Sequence, residues 1–246
     1  MRISLVTPAS AGSAKGNWMT AARWATRLEE LGHEVAIEQE WSGGGEMLLA
    51  LHAYRSLASI RRFRLERGPD APLVVALTGT DVYRDLDRHP EARDALALAT
   101  RFVTLQPAAI ERLPGALRAR ARVVFQSAVA PSEPEPPSRE SFEVCVLANL
   151  RDVKDPLRAA AAARLLPVAS RVVVLHAGLV LEEALGEQAH VATRESSRYR
   201  GLGPLPHEQA LRLLARARLM LLTSHMEGGA NVISEAVVCG TPVISS

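Results

Sequence analysis

Residues 3–37 read ISLVTPASAGSAKGNWMTAARWATRLEELGHEVAI, and this stretch decides the fold. The run 3–7 is short, apolar and rich in β-branched side chains, the composition of a strand. A loop of small residues follows. Trp18, Ala21, Ala25, Leu28 and Leu31 then recur at helical spacing. Gly32 can end that helix because it enters the left-handed region without a Cβ penalty, and residues 34–37 resume as a strand. Strand, loop, helix, turn, strand is the opening of a Rossmann-type unit, in which a helical crossover makes successive strands parallel.

The alternation continues along the rest of the chain. In the first half, strands are predicted at 73–77, 102–105 and 123–126, and a helical pattern spans 48–67 with its apolar positions interrupted by His52 and Arg55. Four prolines with Ser and Glu between Pro131 and Pro137 cannot hold a helix or a central strand and make a stiff spacer. This divides the chain into a first domain over 1–130, a Pro-rich linker over 131–140 and a second domain over 141–246. In the second, strands are predicted at 144–148, 172–175 and 219–222, with helices near 156–166, 180–186, 206–216 and 233–239. Two doubly wound α/β domains facing each other across a cleft are expected, with ligands at the C-terminal ends of their strands.

Composition narrows the function classes. The 246 residues carry 29 basic and 27 acidic side chains, a net charge of +2, so no global field calls for nucleic acid or a membrane surface. No basic run with interleaved aromatics argues otherwise. Cys145 and Cys239 have no CxxC partner and sit in apolar runs, as buried thiols of a reducing compartment do. No apolar run is long enough for a secretory signal or a membrane span, and the cytoplasm is expected. The seven histidines show no metal-ligand spacing; Asp85 and Asp87 are read as first-turn helix residues favoured by the dipole, and no metal or other cofactor is expected.

Four loops at predicted strand ends carry candidate chemistry. After the opening strand, Gly12, Lys15, Gly16 and Asn17 combine close backbone approach, a helix start and a point charge, all suited to an anion. After 73–77, Thr78, Gly79, Thr80 and Asp81 line the cleft from the N-terminal side. After 144–148, Arg151 and Lys154 reach for a diphosphate and neutralise the charge that grows on it as a leaving group; Lys154 and Lys15 are the only two lysines of the chain. The fourth loop, Glu227-Gly228-Gly229-Ala230-Asn231-Val232-Ile233-Ser234-Glu235, opens an apolar helix whose first amides and dipole favour a phosphate. Its two carboxylates, separated by at most ~12 Å of helix rise, suit hydroxyls on either side of that phosphate, as in a nucleotide sugar.

In this order the loops resemble those of a GT-B glycosyltransferase of the family 4 type. More narrowly, Gly16-Asn17-Trp18, Leu51-His52-Ala53, Thr78-Gly79-Thr80-Asp81, the run from Leu150 to Pro156, and the run from Met226 to Val232 resemble the selenosugar synthase branch of selenoneine biosynthesis. The resemblance implies transfer of N-acetylglucosamine from its UDP donor to selenophosphate, with release of UDP. It implies that Glu227 holds the sugar hydroxyls, that Gly228, Gly229, Ala230, Asn231 and Val232 face sugar and phosphate, and that Glu235 binds ribose. Arg151 and Lys154 would take the diphosphate. His52 and Arg55 would join Lys15 and the 12–17 amides around the acceptor anion.

Two departures from the family pattern carry weight. Where many family 4 members have a histidine before the Gly-x-Asp of the second loop and an arginine five residues before the lysine of the third, this chain has Thr78 and Asn149. An alcohol acceptor wants a base for its proton, whereas a selenophosphate arrives as a soft anion, so the missing histidine agrees with the narrower branch. The chain also stops at Ser246 directly after a predicted strand, where the family continues into further helices, and the second domain is expected to be incomplete there. The rival readings are a family 4 enzyme with an ordinary sugar, lipid or small-molecule acceptor, and a non-catalytic binder of nucleotide sugars.

Overall fold

The computed structural model describes residues 1–13 and 16–246. They fall into two compact units, one made of Met1–Gln126 with Glu227–Gly229, the other of Ser127–Met226 with Ala230–Ser246.

The first unit is a six-stranded parallel sheet. Its strands are β1 (Arg2–Val6), β2 (Glu34–Glu38), β3 (Met47–Leu51), β4 (Leu73–Leu77), β5 (Arg101–Thr104) and β6 (Ala121–Val123), in the order β2-β1-β3-β4-β5-β6. Helix α1 (Gly16–Glu30) links the first two strands and ends at Gly32 as the sequence requires: with φ +82°, Gly32 donates its amide to Glu29 while His33 donates to Leu28. Helix α2 (Leu57–Arg67) precedes β4. A wide π turn (Asp81–Asp85), α3 (Leu86–Arg88) and α4 (Ala92–Leu98) lead to β5, and α5 (Ala108–Glu111) and α6 (Gly115–Arg118) to β6.

Alternate residues of the strands feed two separate cores, so helices cover both faces of the sheet. Val6, Leu48 and Val75 pack with Ile60 and Phe63 of α2, while Leu5, Leu49 and Leu51 pack with Ala21 and Ala25 of α1. The helix expected over 48–67 is therefore corrected: its first residues are β3, buried on both faces. An interior parallel strand reads as an unbroken apolar run, which periodicity alone does not separate from a helix. The polar interruption at His52 and Arg55 is the boundary between the two elements. The strand expected at 123–126 ends at Val123, beyond which Val124 and Phe125 are exposed.

The second unit repeats the plan with five parallel strands: β7 (Phe142–Leu147), β8 (Val172–Ala177), β9 (Tyr199–Gly203), β10 (Leu219–Leu222) and β11 (Val243–Ser245), ordered β11-β10-β7-β8-β9. After a single 3-10 turn (Asp152–Lys154), helices α7 (Arg158–Arg164), α8 (Glu183–Glu195), α9 (His207–Arg216) and α10 (Asn231–Cys239) connect them. Val144, Val146 and Val174 pack with α7 and α8, and Cys145, Leu175 and Ala177 with α9 and α10. Both are doubly wound α/β units of Rossmann type. The Pro-rich segment runs along α9, where Ser132 meets Glu208, Glu133 pairs with Arg212 at 3.5 Å and Glu135 with Arg216 at 2.9 Å. No described helix is long and apolar enough to cross a membrane.

Candidate active site

In an open parallel sheet the strand order reverses at one place, and the two chains leaving the sheet there diverge and open a crevice at its C-terminal edge. In the first unit that place lies between β1 and β3, and in the second between β7 and β10. The loops that follow these four strands hold Gly12, His52, Arg151 with Lys154, and the segment leading to α10.

In the second unit the Arg/Lys loop is fixed from two sides. Toward β8, Leu150 forms a parallel bridge with Val180, Asn149 Oδ1 accepts from the Leu179 amide at 3.0 Å, and Glu182 accepts from the Asp152 amide at 3.1 Å. Gly178 makes this approach possible, since a Cβ there would stand 2.0 Å from the Ala148 carbonyl oxygen. That same carbonyl accepts from His176 Nε2 at 2.8 Å, and His176 Nδ1 meets the Tyr199 hydroxyl at 2.6 Å. Burial pushes the His176 ring down in pKa and the Tyr199 phenol up to about 12. Asn149 thus serves as a backbone clamp.

Toward β10, the Thr223 hydroxyl is placed to donate to the carbonyls of Lys154 at 3.2 Å and Asp155 at 2.8 Å, and the His225 amide donates to the Val153 carbonyl at 2.9 Å. The Arg/Lys loop is therefore joined to the chain that leads to α10. His225 itself is exposed and lies 3.9 Å from Asp155. Ala230 caps α10, which has no acidic residue in its first turn, and Asn231 and Val232 open it. Glu235, one turn on, is 9 % exposed and 3.9 Å from His207 at the start of α9. The cations and the amide end of α10 lie on adjoining loops, an arrangement fit to hold a diphosphate.

Glu227–Gly229 are grouped with the first unit. Gln106 Nε2 donates to the Glu227 carbonyl and to the Tyr83 hydroxyl, both at 2.7 Å. A Cβ on Gly228 would stand 2.2 Å from the Thr78 carbonyl oxygen, and one on Gly229 2.3 Å from the Leu105 Cβ. These glycines are demanded by packing in addition to any ligand.

The remaining first-unit candidates separate into exposed and buried ones. Gly12, Gly16 and Arg55 are exposed and Asn17 half-buried, with Gly12 at φ +70°; Lys15 lies outside the described residues. Asp81, expected to line the cleft, is fully buried. Its carboxylate accepts from the amides of Thr78, Gly79, Val82 and Ala53 at 2.8–3.2 Å, a structural clip between the β3 and β4 loops. His52, expected beside the acceptor, is 1 % exposed and has both ring nitrogens engaged. Asp85, read as a first-turn helix residue, instead closes the π turn and is buried against His52 and Arg84, whereas Asp87 does lie in the first turn of α3, exposed and paired with Arg112. Among the described residues no group of three or more His, Cys, Asp or Glu side chains is placed to hold a metal ion.

Comparison with known proteins bears on the second unit and on the fold. The family described as "Glycosyl transferases group 1" matches residues 132–246. Over these residues, just under half of the chain, the second unit is similar to that family. This domain carries all of the Arg/Lys loop and α10. Over the whole chain the fold is GT-B, shared with solved structures of low identity. HepE from Anabaena, in complex with UDP and glucose, superposes with a TM-score of 0.74 at 18% identity, covering 100% of this chain and 80% of that one. Sucrose-phosphate synthase from Thermosynechococcus elongatus gives 0.74 at 15% identity, covering 99% and 80%. WaaG, a glycosyltransferase involved in lipopolysaccharide biosynthesis, gives 0.68 at 16%, covering 100% and 80%. Comparison with the curated proteins gives no sequence match.

Proposed function

We propose that the chain is a glycosyltransferase that moves N-acetylglucosamine from a UDP donor to selenophosphate, forming a selenosugar and releasing UDP. The observation that carries this reading is the joining of the Arg151–Lys154 loop to the chain entering α10 through Thr223 and His225. Two cations and the amide-rich start of a nine-residue helix then face one diphosphate. The same fold holds UDP-glucose in HepE, which supports a UDP-sugar as donor. Glu227 is assigned to the sugar hydroxyls and Glu235 to the ribose.

In the reaction the selenium lone pair forms the bond to C1 of the sugar, the C1–O bond breaks, and its electrons leave on the β-phosphate of UDP; selenium keeps its bond to phosphorus, so the selenosugar formed in this step carries the phosphoryl group. Arg151, Lys154 and the α10 amides offset that growing charge, so the reading calls for no metal or other cofactor. Thr78 in place of a histidine fits an acceptor that arrives as an anion and needs no base. The two unbridged cysteines fit a cytoplasmic site.

The test is a mass spectrum of the products from UDP-N-acetylglucosamine mixed with selenophosphate or, in parallel, with candidate alcohols. A selenosugar with stoichiometric UDP is expected. Transfer to alcohols alone rejects the acceptor, and absence of any transfer, with UDP-sugar binding retained in calorimetry, leaves a nucleotide-sugar binder.

A further inference from the structure

His52 ends β3 at the reversal point of the first sheet, with a left-handed φ of +72° that a histidine adopts only at a cost. What the position gains is a fixed ring. Nδ1 lies 3.2 Å from the Arg55 backbone nitrogen and accepts its N–H, so Nδ1 keeps its lone pair and the ring proton sits on Nε2. Nε2–H faces two oxygens, Thr80 Oγ1 at 3.0 Å and Asp85 Oδ2 at 3.5 Å. Asp85 also accepts from Arg84 Nε at 2.8 Å.

This arrangement resembles a hydroxyl–imidazole–carboxylate triad in membership but not in direction. A base needs a free lone pair toward the hydroxyl, with the carboxylate on the other nitrogen. Here the lone pair is committed to the Arg55 amide, and hydroxyl and carboxylate share Nε2. His52 therefore donates to Thr80 and cannot take its proton. With its oxygen occupied as an acceptor, the Thr80 hydroxyl has its own proton to give. Thr80 is half-exposed, on a loop pinned by the four amide bonds to Asp81.

We infer that the Thr80 hydroxyl is a hydrogen-bond donor to an oxyanion of the acceptor, aimed by His52 as a buried positioning residue, and that this edge of the sheet binds an acceptor already deprotonated. The acceptor's identity rests on the transferase reading above; the direction of the hydrogen bond does not.

Two measurements test it. The first is the protonation of the His52 ring by nitrogen NMR in the full chain between pH 7 and 8. Hydrogen on Nε2 with Nδ1 bare is expected, and the opposite tautomer overturns the inference. The second is titration with inorganic phosphate. The wild type and Thr80→Ser should bind it alike, and Thr80→Val should bind it roughly 10- to 100-fold more weakly, the loss of one hydrogen bond to a charged group. Failure of the wild type to bind phosphate, or equal binding by Thr80→Val, overturns the inference. Transfer of sugar to alcohols alone would sink the proposed reaction while leaving these two results to stand or fall separately.

Discussion

The Asp81 carboxylate accepts the Ala53 amide at 3.1 Å, tying the end of β3 to the end of β4 across 28 residues of chain. Three more amides of its own loop point at the same group. Asp81→Asn puts an N–H donor among donors, so at least one buried amide loses its partner. The first unit is expected to lose about 2–3 kcal/mol, measured as a shift of its denaturant midpoint with an unchanged m-value. No shift would mean that the loop is held by something other than this carboxylate.

Gly178→Ala places a methyl group where the Ala148 backbone already is, 2.0 Å from its oxygen and 2.5 Å from its carbon. Neither atom belongs to a flexible side chain, so the β7 and β8 loops must separate. A loss of about 3 kcal/mol or more is expected, together with weaker UDP binding, by thermal unfolding with and without UDP.

Lys154→Ala should weaken UDP by about 1.5–3 kcal/mol, the range for one hydrogen bond to a charged group. Calorimetric titration of UDP reads this directly. Thr223→Val should act on the same affinity indirectly, by releasing the carbonyls of Lys154 and Asp155, and should also cost about 1 kcal/mol of stability. If Thr223→Val lowers stability and leaves UDP affinity untouched, the joining of the two loops is not what organises the diphosphate site.

Acid should destabilise both units through buried rings. Burial drives His52 and His176 down from the ordinary value of 6.5; for His52 the Asp81 and Asp85 charges pull upward and Arg55 downward, without overturning the burial effect. The folded values lie below the unfolded ones, so the unfolded chain takes up protons first as pH falls. Stability from these neutral rings is complete above about pH 6.5 and is lost as pH drops toward and through the depressed folded values. Ring titrations followed by NMR should show midpoints below 6.5, with melting temperature declining over the same interval; midpoints above 6.5 would reverse the sign.

The strand pattern was largely legible because buried parallel strands and amphipathic helices differ in period, and 73–77 and 219–222 coincide with β4 and β10. What escaped did so for physical reasons. Met47–Leu51 is apolar on both faces and merges into the helical pattern that follows it. Tyr199–Gly203, with two glycines and mostly exposed side chains, occupies a sheet edge and carries no alternation. At the site, the Arg/Lys loop and the glutamate motif stand out by residue type. The roles of Asp81, Asn149 and Thr223 depend on backbone groups far along the chain, which residue type does not reveal. Thr223, directly after an apolar strand, was the one local signal available.

The run of Ser132, Glu133 and Glu135 along α9 is held by groups at the protein surface. Pairs of that sort are individually weak, and at separations of 3.5 and 2.9 Å they are screened as the Debye length falls to about 3 Å near 1 M salt. Prolines keep the strip extended whether or not it is clasped. Rising ionic strength should therefore peel it from the helix without collapsing it, making proteolytic nicking near Arg139 a salt-tunable event.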